Sequence, residues 1–239
     1  EFENREADPA AYGESLRRPR PGHADLVAWQ KSGGHADPRG GGASSGRLTV
    51  ALVAAGAIGL RLLPDVRIEA KLIEADGQPD VEAAVGEAVA AGDSVGGIVE
   101  CRVSGLPPGL GEPFFDSLEG LLAHAAFAIP GVKGIEFGLG FGFGRCRGSQ
   151  CREEILDAAG TTRRNLAGGI DGGMSNGNPI VFRIAVKPAV SFGELRTVDL
   201  STGRRVRTAA TGRHDACIAL RVPVVLEAVT AIEIGRAHV

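Results

Sequence analysis

The chain has 239 residues, 44% of them hydrophobic and 23% charged, near the averages of globular proteins, which excludes a miniprotein, a fibrous repeat and wholesale disorder. Lys and Arg number 26 against 29 Asp and Glu, a net charge of -3, so no global field draws the chain to nucleic acid or an acidic membrane, and an anionic ligand needs a local basic site. With Gly 36, Pro 13 and only 5% aromatics, many turns and close backbone approaches are expected.

Glu1 stands where a Met would and no signal-peptide pattern follows, which reads as a chain begun in the middle. Residues 1–42, with Pro9, Pro19, Pro21 and Pro38, read as extended loop lying on something else. From Ser44, the spacing of Leu48, Leu52, Ala55, Ile58 and Leu62 predicts a helix whose first turn carries Ser44, Ser45 and Arg47. The apolar stretch from Val50 to Leu63 is shorter than the ~20 residues of a membrane span. Residues 66–73 alternate as a strand, 81–91 make an alanine-rich helix ended by Gly92, and 98–103 form a half-buried strand with Glu100 and Arg102 on one face and Val99, Cys101 and Val103 on the other.

Pro113 is expected to open a helix with Phe114, Leu118, Leu121, Leu122, Ala125 and Ile129 as its apolar stripe, His124 being a surface residue. A strand follows from Ile180 to Val186, shorter ones at 197–200 and 204–208, and a last helix from Pro223 to Ile232. Residues 233–239 read as an adapter-derived, non-native tail and are set aside, leaving 1–232 as one domain. The pattern suggests α+β layering of helices against antiparallel sheets. Cys101, Cys146, Cys151 and Cys217 form no CxxC pair, so reduced thiols in a cytoplasmic protein are expected and metal is not.

Four clusters set polar side chains in glycine-rich or turn settings. Arg20-Pro-Gly-His23-Ala-Asp25 could bind a phosphate and support a reacting group, although these residues alone favour a proline-rich surface turn. Gly40 to Arg47 runs a glycine tract with Ser44, Ser45 and Arg47 into a helix start, a phosphate cradle that is not a P-loop because no Gly-Lys-Ser/Thr follows. Ala167 to Gly177 is glycine-rich before a strand and matches a dinucleotide fingerprint only weakly. Gly212-Arg213-His214-Asp215-Ala-Cys217 places three ionisable side chains in sequence, which suggests a polar pocket.

In this order, with Val53-Ala-Ala-Gly-Ala57, Asp93-Ser-Val-Gly-Gly97, Gly105-Leu-Pro-Pro-Gly-Leu-Gly-Glu-Pro113, Val132-Lys-Gly134, Arg147-Gly-Ser-Gln150 and Lys187-Pro188, the clusters resemble the signatures of chorismate synthase from Asn4 to Ala231. The resemblance implies a layered β-α-β sandwich, here incomplete, and a homotetramer. It implies a lyase that converts 5-enolpyruvylshikimate 3-phosphate to chorismate and phosphate by anti 1,4-elimination, with reduced FMN and no net redox change. By motif match, Arg20, Ser45 and Arg47 contact substrate, and Arg213 stands near both substrate and flavin. His23 supports the anionic reduced flavin and Asp215 accepts a proton from its central nitrogen. Ser44, Ser45, Gly172, Asn176, Lys187, Ser191 and Arg213 match FMN-binding positions. Reduction of the flavin by the protein itself, with NADPH, has no motif.

The chain departs from the family at Ala43, Leu139, Ala189 and Ala216, and the family's Gly-x-Ser-His-Gly segment has no counterpart. These departures favour an alternative, a non-catalytic flavin- or phosphate-binding module on the same scaffold. A missing segment would also leave strand edges unpaired, so poor folding or aggregation is expected of such a piece.

Overall fold

A computed structural model describes residues 17–37, 39–209 and 215–238. Its centre is an antiparallel sheet of four strands in the order β1-β2-β6-β3, from β1 (Arg67–Ala75), β2 (Gly97–Ser104), β6 (Ile180–Val186) and β3 (Val132–Phe137). Period-two alternation sends Val99, Cys101 and Val103 of β2, and Ile180, Phe182, Ile184 and Val186 of β6, to one buried face. The register sets Lys71 beside Glu100, Glu100 beside Arg183 and Arg183 beside Glu136 on the other face. Arg183 links its neighbours, Nε donating to Glu100 at 3.0 Å and a terminal nitrogen to Glu136 at 3.3 Å. Charge on that face is thus paired within the sheet.

Helices α4 (Leu118–Phe127) and α5 (Val222–His238) lie on the apolar face, and α2 (Thr49–Arg61) packs on α5. Residues 56 and 59 of α2 are glycine because no larger residue fits: a Cβ on Gly56 would lie 2.4 Å from Ala228 Cα, and one on Gly59 would lie 3.3 Å from the Ala231 carbonyl. Both contacts advance together along the two chains, so α2 and α5 run parallel with their N-termini at the same end. Helix α3 (Val81–Ala91) follows β1, with the Asp80 side chain accepting from Ala83 N at 3.0 Å and Gly92 closing it at φ 65°. Two ribbons complete the fold, β4 (Ile170–Asp171) with β5 (Met174–Ser175) and β7 (Glu194–Val198) with β8 (Arg205–Ala209).

Open antiparallel sheets with segregated helices make this an α+β fold, as expected. Three local expectations change. The helix expected from Ser44 begins only at Thr49, and Ser44, Ser45 and Arg47 belong to the 3-10 turns before it rather than to its first turn. Pro113 is extended and opens a 3-10 turn in which Phe114 takes φ 67° and both Phe114 and Phe115 are exposed. The helix starts instead at Ser117, whose hydroxyl accepts from Gly120 N at 3.1 Å, because a capping side chain satisfies a free amide that proline cannot. Asp25–Lys31 is a short helix, α1, inside the stretch expected to be extended. Strand β3 was legible only as part of the family signature. Residues 233–238 continue α5, with Ile234 fully buried. His124 is exposed.

Candidate functional site

The turn at Pro21 and Gly22 folds 17–25 back on the segment after β6. His23 N bonds to Arg20 O, Gly22 takes φ 71°, Leu200 N donates to Arg17 O at 2.8 Å, and Lys187 Nζ donates to Gly22 O at 2.6 Å. Asp25 organises this corner. It accepts from Arg20 N at 3.1 Å, Arg20 Nε at 2.7 Å, an Arg20 terminal nitrogen at 2.9 Å and His23 Nδ1 at 2.6 Å. Burial alone would push its carboxyl up; the bonds from His23 and Arg20 overcome that and hold it well below the usual carboxylate range. The bond to Asp25 puts the imidazole hydrogen on Nδ1, which an Arg20 terminal nitrogen also approaches at 3.1 Å, and leaves Nε2 outside this network.

Lys187 leaves the end of β6 with its amide bonded to Gly131 O, and Ser191 is buried four residues on. Ser94 donates to the Ala189 carbonyl, and Val95 N donates to Ala216 O at 2.8 Å, so residues 93–96 join the Lys187 segment to Asp215. Arg221 grips both Asp215 oxygens, Nε at 2.8 Å and a terminal nitrogen at 2.9 Å. Arg213 lies outside the described residues. An open hollow of about 360 Å³ adjoins this junction, lined by Glu74, Asp76, Ser94 and Pro188 among others. Its lining includes the carboxylates of Glu74 and Asp76 and no cation, which disfavours an anion inside it.

The parallel course of α2 and α5 brings Ser45 and Arg47 to the end where Arg221 and Asp215 precede α5. Ser45 Oγ accepts from Arg47 N at 3.3 Å, Thr49 Oγ1 donates to Gly46 O at 2.6 Å, and Ser44 and Arg47 are exposed. Two helix N-termini, Arg20, Lys187 and Arg47 therefore share one end of the molecule, a positive environment for phosphate.

Gly172 and Asn176 lie elsewhere, in and beside the β4–β5 ribbon at the opposite end of β6. That strand's seven residues span roughly 23 Å. Gly172 takes φ 61° with no neighbour closer than 4.0 Å to a Cβ built on it, leaving open space beside its backbone. Asn176 Nδ2 donates to Asp171 at 2.7 Å, while its oxygen accepts from Asn178. Ser175 pins the ribbon to the 105–113 loop, donating to Pro107 O at 2.7 Å and accepting from Leu110 N at 2.9 Å.

Hydrogen bonds thus link the segments that carry Arg20, His23, Lys187 and Asp215, α2 begins just after Ser45 and Arg47 toward the same end of the fold, and Gly172 and Asn176 lie apart. The donors at the first end fit the phosphate of a flavin or of a substrate. The sequence places Asp25 in the first polar cluster without a role of its own, and does not point to Arg221. Asp25 carried a signal, being the carboxylate two residues from His23; Arg221 had none, since its partnership depends on the turn into α5.

Comparison with known proteins points one way. A family model described as Chorismate synthase matches residues 1–239. The chain is 54% identical over 236 residues to a chorismate synthase of Chitinophaga pinensis, covering 98% of the chain and 71% of that protein. It is 41% identical over 264 residues to one from Korarchaeum cryptofilum, covering 97% of the chain and 73% of that protein. A crystal structure of chorismate synthase superposes with a TM-score of 0.65 at 26% identity, over 81% of this chain. The chain spans 63% of that solved chain, a little under two thirds.

Proposed function

Because the chain belongs to the chorismate synthase family, lyases of aromatic amino acid biosynthesis, we propose that it carries the family's reaction, the anti 1,4-elimination of phosphate from 5-enolpyruvylshikimate 3-phosphate. The observation that carries this reading is that Arg20, Arg47 and Lys187 lie at the end of the fold where α2 and α5 begin. Arg20, Ser45 and Arg47 bind the substrate's phosphate and carboxylates, neutralising charge on the leaving group. Asp25 holds the His23 ring through Nδ1. Asp215 moves a proton at its carboxylate, which Arg221 holds in place through both oxygens.

Reduced FMN, when bound, supplies an electron-rich ring beside the substrate. Lys187, Ser191, Ser44, Ser45, Gly172, Asn176 and Arg213 are the residues assigned to hold it. The separation of Gly172 and Asn176 from Lys187 within one chain supports a homotetramer, in which a second copy supplies them. A cytoplasmic location accords with the reading, and among the described residues no helix is long and apolar enough to cross a membrane. The alternative of a non-catalytic module is not favoured, because the relatives at 54% and 41% identity are named as the enzyme.

Anaerobic incubation with reduced FMN and 5-enolpyruvylshikimate 3-phosphate tests the proposal. Equal amounts of phosphate and chorismate support it, and binding without phosphate release overturns it. Asp215→Ala is expected to lower kcat at least ~100-fold, the scale of a missing general acid or base; undiminished turnover removes Asp215 from the mechanism.

A further inference from the structure

Away from that end, the loop between β3 and the β4–β5 ribbon closes a turn with a cysteine at each side of its mouth. Cys146 N donates to Phe143 O at 3.2 Å, Gln150 N to Arg147 O at 2.9 Å and Cys151 N to Arg147 O at 3.3 Å. Gln150 Oε1 returns a bond by accepting from Arg147 N at 2.9 Å. These bonds curl residues 147–150 back between the two cysteines. Burial, and then contact with the Cys146 thiol, push the Cys151 thiol up, while Arg164 pulls the other way. Arg164 fixes the base of the turn, donating to the carbonyls of Gln150 at 3.1 Å and Arg152 at 2.7 Å. Cys146 is exposed and Cys151 half-buried, whereas Cys101 and Cys217 are buried.

We propose that Cys146 and Cys151 are a reversible dithiol–disulfide pair, oxidised by low-molecular-weight disulfides such as oxidised glutathione. The exposed Cys146 sulfur, having lost its proton, attacks one sulfur of the small disulfide and expels a first thiolate, leaving a mixed disulfide. Cys151 then loses its proton and attacks Cys146 Sγ, expelling the second thiolate. The protein gives up two protons and two electrons, and the small disulfide becomes two thiols. The closed loop is short, so the bridge adds little loop-closure stabilisation and is readily reversed. It spans the turn next to Glu153, which accepts from the amides of Arg164 at 3.2 Å and Leu166 at 2.6 Å on the approach to the β4–β5 ribbon. Oxidation therefore stiffens the segment that leads to Gly172 and Asn176.

The test incubates the reduced protein with oxidised glutathione, then counts thiols in denaturant and measures intact mass. The expected result is a fall from the chain's four thiols to two, with the loss of two hydrogens in mass, slower trypsin cleavage after Arg147, and full recovery in dithiothreitol. Cys151→Ser is expected to trap a glutathione adduct on Cys146, and Cys146→Ser to keep its remaining thiols. Four thiols after oxidation, or a stable glutathione adduct on the unmodified protein, overturns the proposal.

Discussion

Asp25 receives four hydrogen bonds, three from Arg20 and one from His23, at a site where its side chain is only 6% exposed. Its carboxyl is depressed in the folded state, so the stability it contributes is fully present above the ordinary carboxylate value near ~4 and is lost as pH falls below it toward the folded value. Asp25→Asn is expected to cost about 2 kcal/mol at neutral pH, the scale of a hydrogen-bonded charged group, and to flatten the acid limb of stability below about pH 4. Urea unfolding at pH 7 and at pH 3 checks this; equal losses at both would show that the charge is not what holds the corner. The sequence exposed this motif because its members lie within six residues. Asp215 with Arg221 was half-hidden, since the carboxylate stood in a recognisable run and its cation did not.

The α2–α5 contact turns on volume. Gly56→Ala would put a methyl carbon 2.4 Å from the Ala228 backbone, so the helices must separate or shift. A loss of about 1–3 kcal/mol is expected from such overpacking, against a gain from helix propensity below about 1 kcal/mol. Chemical denaturation decides the sign, and a stabilised variant would mean the helices are not this close. Because both N-termini sit at the phosphate-binding end, the same variant should also weaken phosphate affinity, measurable by titration with inorganic phosphate. Elements with strong local codes were readable: α3 through Asp80 and Gly92, β2 and β6 through alternation. Helix α4 was misread at its start because Pro113 is compatible with a first helical turn but also with the extended turn it adopts, and Ser117 decides between them. Strand β3 was unreadable from pattern because Lys133 and Gly134 break its alternation, and its pairing with β6 supplies what its own residues lack.

At the scale of the whole molecule, Cys101 reports on opening of the core. It is fully buried at the centre of β2, and burial pushes its thiol up to about 12, with a weak contact to Thr230 on α5 pulling the other way. In native protein iodoacetamide is expected to modify the exposed Cys146 first and Cys101 only at the rate of global unfolding, read as a lag set by added urea. Comparable rates at Cys101 and Cys146 would show that the sheet opens locally. By itself the sequence determined the family, the α+β class, helix α3 with its closing Gly92 and the residue types that handle a phosphate, because these are written in short windows of chain. Only the tertiary structure decided that Asp25 aims His23, that Arg221 holds Asp215, that α2 and α5 deliver their N-termini to one end, and that Gly172 and Asn176 lie at the other. Those outcomes depend on long-range packing, where a missing methyl on Gly56 or the register of β6 sets which distant side chains meet.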